Sequence, residues 1–371
     1  MTTASYSLTT EHAHLLRAAL CPPDEALAHW QAWRKIRNLH AASPAPESVK
    51  RAFTLLDGSA QQLLPMICRK LEQSDDALMG YLQQAYETTL HENQRRLRVM
   101  STALQALRQA NVASLLLGSL PLSLTHYGDM GMRAMDKLSL LIPTEKTDVA
   151  LAALRQQQLL PSTVGLRHRR QLASLLLTGP DGVGIRLHWH TLPQHTYAGA
   201  DDPFWADASQ LELPTGLPAL TLSPTHLLFQ TLVVGYQGGR RTALPAMPDS
   251  MQLIRTGQIV WDELLDLTER FTFRIPVRRG LMALQTHADL VLPPAVQHRL
   301  RQMVPTVAEQ RYFDLLSSIP KNPLSQRFQR LRCSRLALRL FHQNRSRESL
   351  RTVVWHHLNP RLAWPEGEWS R

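Results

Sequence analysis

The sequence predicts an α+β protein: a mixed sheet with flanking helices, inserted between N-terminal and C-terminal helical regions. Three observations carry this. Apolar residues recur at helical spacing through the first hundred residues and again after Ser223. Between Val112 and Trp189 the period changes to short apolar runs ending at glycine, proline or a polar residue. The punctuation between those runs gives the order strand, helix, strand, helix, hairpin, which places the sheet in the middle of the chain.

Pro22-Pro23-Asp24 is a helix start, and Ala26–Leu39 (ALAHWQAWRKIRNL) then sets Ala26, Trp30, Trp33 and Ile36 along one stripe. Tryptophans on an apolar stripe are core residues. Ala77–Leu107 is periodic throughout and predicts one long helix or two in series. Val112–Leu117 (VASLLL) reads as a buried strand that turns at Gly118-Ser119 into a helix over Leu120–Tyr127. Asp129–Met132 is a loop, Leu138–Ile142 a second strand, and Pro143-Thr144-Glu145 opens a helix running through Leu160. Arg169–Thr178 and Gly184–Trp189 are strands joined by the turn Gly179-Pro180-Asp181-Gly182. From Ser223 to Arg301 the pattern is helical, broken at Gly238-Gly239, Pro276 and Pro293-Pro294. The expected organisation is a helical region over 1–108, an α/β core over 109–215, a second helical region over 216–320 and a basic helical tail over 321–371.

A chain of 371 residues can bury one large core or two to three small ones. A hydrophobic content of 44% without low-complexity tracts fits a folded, soluble protein. No apolar run approaches the roughly 18 residues that span a bilayer. The start MTTASYSLTTEHAHLL lacks the basic and apolar segments of a signal peptide, so a cytoplasmic location is expected. Cys21, Cys68 and Cys333 are too few and too scattered for a disulfide framework or a metal site. Net charge is +11, which favours anionic partners. Lys321–Arg351 concentrates that charge, with nine Lys or Arg residues and one acid, Glu348. Leu331, Leu336, Leu338, Leu340 and Phe341 interleave with the arginines, giving a basic helix. Two readings stand for it: the solvated face of a docked helix, or a nucleic-acid or membrane-surface contact.

The strand Leu138–Ile142 and its approach carry an oddity, because Lys137 and Ser139 put a cation and a hydroxyl on one face of a Leu/Ile strand. The surrounding stretch, Leu115–Pro143 (LLLGSLPLSLTHYGDMGMRAMDKLSLLIP), resembles the uncharacterised bacterial nucleotidyltransferase family, which has the polymerase-beta-like fold. His126, Tyr127, Gly128, Asp129, Gly131, Arg133, Met135, Leu138, Leu140, Leu141 and Pro143 match without a gap. The similarity extends over roughly residues 10 to 300, through Asp24–Trp33 (DEALAHWQAW), Ile185–Thr191 (IRLHWHT), Asp202–Trp205 (DPFW), Ser223-Pro224-Thr225, Asp249 and Trp261-Asp262. In such enzymes a strand ends in a Gly-Ser or Gly-Gly turn whose amides receive the nucleotide's phosphates, and the next strand carries Asp-x-Asp. Two carboxylates two residues apart share a strand face about 6.6 Å apart and can hold divalent cations. A third carboxylate comes from a neighbouring strand.

The resemblance places those three carboxylates on Lys137, Ser139 and Arg186, and the family's Lys-Gly pair on Gly118-Ser119. A cation site built of Lys and Arg would repel magnesium, whereas an ammonium and a guanidinium suit phosphate or carboxylate. The resemblance therefore implies a degenerate, catalytically inactive nucleotidyltransferase that binds an anionic ligand (phosphate, nucleotide or acidic peptide) or a protein partner. Its expected binding residues are Gly118, Ser119, Arg133, Lys137, Ser139, Arg186 and His188, with no metal and no cofactor. A second reading keeps catalysis with Mg²⁺ and a nucleoside triphosphate, using Asp136 or Asp129 as displaced carboxylates. A one-residue slip would point Asp136 to the opposite strand face. A third reading is an interaction scaffold without a small ligand, in which Lys137 and Arg186 pair with nearby acids. His188, His190 and His195 are weaker metal candidates, and Arg167-His168-Arg169-Arg170 is a basic cluster that reads as a solvated run. No Ser/His/Asp or Cys/His arrangement is apparent.

Overall fold

Helices come first, and the computed structural model describes them within residues 8–39, 45–135, 137–161, 173–237, 240–318 and 323–341. They are α1 (Thr10–Leu20), α2 (Pro23–Ile36), α3 (Pro46–Thr54), α4 (Gly58–Gln61), α5 (Leu64–Lys70) and the 31-residue α6 (Met79–Gln109). The stretch from Ala77 is thus one helix. Trp30 and Trp33 stack at 4.8 Å and are fully buried, as their place on the apolar stripe predicts. Pro23 opens α2 at a position whose amide has no helical partner in any case.

The middle of the chain forms β1 (Leu115–Leu117), α7 (Ser119–Thr125), β2 (Leu138–Leu141), α8 (Thr147–Gln156), β3 (Leu160–Pro161), β4 (Ser174–Thr178), β5 (Gly184–His188), α9 (Asp202–Ala206), β6 (Ser209–Glu212) and β7 (Pro218–Thr221). One seven-stranded mixed sheet results, in the order β3-β4-β5-β2-β1-β7-β6. β1 runs antiparallel to β2 and parallel to β7, and β2 runs parallel to β5. Two expectations are corrected here. The helix predicted through Leu160 stops at Gln156, because Gln158 takes a left-handed conformation (φ 58°) and the chain turns into β3. The strand β7 lies inside the region predicted to be helical, and β6 was not foreseen. Both are four residues long, too short for a period, and their strand character comes from pairing with β1 and with each other.

The C-terminal region adds α10 (Pro224–Gln237), α11 (Arg240–Arg255), α12 (Trp261–Arg270), α13 (Arg274–His287), α14 (Pro294–Gln302), α15 (Val307–Ser317) and α16 (Pro323–Phe341). Alternation along the strands sends Leu116, Leu138, Leu140, Ile185 and Leu187 into a core completed by Met100, Leu104 and Leu107 of α6 and Leu154 of α8. Leu115, Leu117 and Leu141 on the other face join a larger core that also holds Leu15, Trp30, Phe229 and Leu284. The two helical regions, far apart along the chain, therefore share one apolar core. Arg17 reaches Asp289 at 3.2 Å and Arg255 donates to the Leu20 carbonyl at 3.0 Å across it.

The basic helix α16 docks through Cys333, Ala337 and Phe341, spaced four apart, and Phe341 stacks on Phe273 at 5.8 Å. Arg332, Arg335, Arg339 and Phe328 are left exposed. Residues 342–371, which include the remaining part of the basic tail, lie outside the described residues. All three cysteines are free thiols. No described helix is long and apolar enough to cross a membrane.

Candidate functional site

Strand register decides which of the expected residues meet. Ser139 on β2 sits directly across from Arg186 on β5 and from Leu117 on β1. Cross-strand partners share a face at a spacing of about 4.7–4.9 Å between strands, so Ser139 and Arg186 are immediate neighbours on one face. Lys137, two residues before Ser139, continues that face at the end of β2 and is exposed. β1 runs antiparallel to β2, so its exit, Gly118-Ser119, lies at the same end of the sheet as Lys137. Gly118, Ser119, Lys137, Ser139 and Arg186 are thus brought together from three strands. Gly118 has φ 72° and ψ −135°, a combination open essentially to glycine, and it turns the chain from β1 straight into α7.

The face is cationic at its rim and neutral deeper in. Lys137 forms no ion pair among the described residues. Arg186 is half-buried and its guanidinium donates to Ser174 Oγ at 3.4 Å. His188, two residues further along β5 on the same face, is opposite Leu141 and Ser174. Burial, reinforced by the Arg186 cation, pushes its imidazole down to about 3, so it is uncharged at neutral pH. Its Nδ1 is buried with no hydrogen-bond partner among the described residues.

Two other expected residues lie in different settings. Arg133, expected to bind ligand, has its guanidinium engaged by Asp249 of α11, with Nε to Oδ1 at 2.8 Å and Nη2 to Oδ2 at 3.0 Å. Tyr127 donates its hydroxyl to the same carboxylate at 2.7 Å, and burial together with Asp249 raises its pKa well above normal. Asp129 is likewise engaged, accepting from Tyr86 Oη at 2.9 Å and from the Gly131 amide at 2.8 Å, and pairing with Arg69 at 3.0 Å. An arginine, a phenol and an amide thus hold this carboxylate, which braces the loop. Asp136 lies outside the described residues, as does the cluster Arg167-His168-Arg169-Arg170.

His190 and His195 are also accounted for structurally. His190 Nδ1 is 2.8 Å from Asp201, whose other oxygen accepts from the Thr191 amide, and His195 Nε2 is 3.0 Å from the Phe271 carbonyl among aromatic rings. Sequence reasoning missed Asn93, a fully buried side chain in the middle of α6. Its amide donates to the carbonyls of Met130 and Arg133 and its oxygen accepts from Met135 N at 2.9 Å, clamping the segment that leads into Lys137. A signal was present: Asn93 precedes Leu97, Met100 and Leu104 on the same apolar stripe, where a polar side chain needs a partner. A groove of about 780 Å³ lined by Arg108, Ser114, Glu212 and Leu217 lies at the opposite end of β1 from Gly118 and is separate from this face.

A strand that turns through glycine into a helix, followed by two strands that align three positions on one face, is the framework of a nucleotidyltransferase-like fold. The uncharacterised nucleotidyltransferase family matches residues 58–289. The chain belongs to that family. The matched span begins later than the sequence resemblance suggested, leaving Asp24–Trp33 outside it. No curated protein matches the chain.

Proposed function

We propose that this protein keeps the nucleotidyltransferase framework, has lost metal-dependent nucleotidyl transfer, and binds an anion directly on the face where the family resemblance expects metal-binding carboxylates. The observation that carries this is the register: Ser139 and Arg186 are cross-strand partners, and Lys137 continues their face beside the Gly118-Ser119 turn. Two cations on one face attract phosphate or carboxylate oxygens and repel Mg²⁺. The pairing of Asp129 with Arg69 and Tyr86 supports the reading further, since it engages one of the two candidate displaced carboxylates within the fold. His188, two residues along β5 from Arg186 and held neutral, carries no charge of its own at neutral pH.

Isothermal titration of the full chain with inorganic phosphate, with ATP in EDTA, with ATP and Mg²⁺, and with an acidic peptide tests the proposal. Binding of at least one anion without magnesium, weakened tenfold or more by Lys137→Ala and by Arg186→Ala, is expected. Absence of binding to every anion would leave an interaction scaffold and overturn the proposal. Transfer of label from a nucleoside triphosphate to an acceptor, lost on Asp136→Ala, would overturn it in favour of an active enzyme.

A further inference from the structure

Asp207, His226 and Glu263 come from three separate places in the chain: the residue after α9, the first turn of α10 and the first turn of α12. One side-chain ligand atom from each lies within 4.8 Å of the others. We propose that these residues form a site for one divalent transition-metal ion of the zinc class, independent of the anion face described above.

The burial pattern is that of a metal site with a fixed base and an open mouth. His226 is 1% exposed, while Asp207 and Glu263 are 54% and 35% exposed, so an ion has a path from solvent past the carboxylates. His226 Nε2 is 2.9 Å from Glu263 Oε1, and Nδ1 is 3.9 Å from Asp207 Oδ2. Neither ring nitrogen makes an aligned hydrogen bond, although both are buried. A buried imidazole left in that state carries a desolvation cost that ligation of an ion removes. Two ligands each about 2.0–2.1 Å from a shared tetrahedral ion lie roughly 3.3 Å apart, so the 2.9 Å pair needs to open by only a few tenths of an ångström to admit one. His226 and Glu263 are the two fixed ligands. Asp207, on the more exposed side chain, swings in as the third, and water completes the shell.

The imidazole is held in place before any ion arrives. Val260 N donates to Thr225 Oγ1 at 3.0 Å, tying the start of α12 to the residue before His226. The His226 amide faces Ser223 Oγ at 3.3 Å, and the Phe204 ring packs edge-on against the imidazole at 5.2 Å. One imidazole with two carboxylates suits Zn²⁺, and also Co²⁺ as a spectroscopic stand-in. The cluster draws on the segment after α9 and on α10 and α12, whereas Lys137, Ser139 and Arg186 belong to β2 and β5, so the two sites do not share a residue.

Metal-stripped full-length protein is titrated with Zn²⁺ against a chromophoric chelator, and with Co²⁺ followed by visible absorption. One equivalent of Zn²⁺ is expected to bind, with affinity lowered at least tenfold by Glu263→Gln and by Asp207→Asn, and abolished by His226→Ala. The two carboxylate variants are at the surface and keep the fold intact, which circular dichroism checks. Lys137→Ala is expected to leave Zn²⁺ affinity unchanged, separating this site from anion binding. Absence of stoichiometric uptake would overturn the proposal and leave His226 an ion-pair partner of Glu263. Uptake unaltered in both carboxylate variants would also overturn it, assigning the ion to another pair such as His14 and His29, whose ring nitrogens are 3.1 Å apart.

Discussion

Arg133 and Lys137 are four residues apart, and they occupy opposite electrostatic settings. Arg133 is buried, its fork closed on the two oxygens of Asp249 and its position shared with Tyr127. Lys137 is exposed at the end of β2, on the face of Ser139 and Arg186, with no ion pair among the described residues. The first cation is balanced within the fold and locks the loop before β2 to α11. The second has no such counter-charge among the described residues. A basic residue in a family-like position is therefore not by itself a binding residue. The counter-charge beside it decides.

The largest effect that sharpens this contrast is expected at the buried pair. Asp249→Asn strands a buried guanidinium and should cost about 3–5 kcal/mol. Thermal unfolding should show a strongly lowered midpoint, and an unchanged midpoint would mean that Arg133 is not locked as described. His188 gives the next effect, through pH. Its folded-state pKa of about 3 lies below the ordinary 6.5, so between those values the unfolded chain binds the proton more readily than the folded one. Stability is therefore lost as pH falls below 6.5, at about 1.4 kcal/mol per pH unit from this group, until the folded pKa is reached. Urea denaturation between pH 7 and pH 4 should show that slope reduced in His188→Gln, and an equal slope in both proteins would break the claim.

Gly118→Ala should be milder. A Cβ there meets open space, but φ 72° with ψ −135° strains any L side chain, at a cost of about 1–3 kcal/mol. Weaker anion binding in this variant, beyond what the stability change explains, would add the turn's backbone to the site. The smallest expected stability change belongs to Lys137→Ala, within about 0.5 kcal/mol because the side chain is exposed and unpaired among the described residues. A loss of several kcal/mol would place Lys137 with Arg133 as a structural cation and collapse the comparison.

Much of the fold was legible in the order of residues because it rests on local chemistry. The Trp30/Trp33 stripe, the uninterrupted period of α6, the Gly118 turn and the Gly179–Gly182 hairpin each leave a signature within a few residues. The β6–β7 hairpin left almost none, since four-residue strands acquire their character from the neighbour they pair with. The candidate face was half visible. Lys137 and Ser139 were seen to share a side through the two-residue strand period, whereas the partnership of Ser139 with Arg186 spans 47 positions and is set by strand order.

Sequence alone determined the family, because its signature is written in residue identity. It also determined the glycine at the strand exit, since backbone sterics restrict that conformation to one residue type. Tertiary structure decided which charges are balanced. Asp249 and Asp129 lie 116 and 60 positions from the respective partners Arg133 and Arg69, and only folding brings them within ion-pairing distance. Coulomb energy depends on separation in space and on burial, and neither follows from separation along the chain.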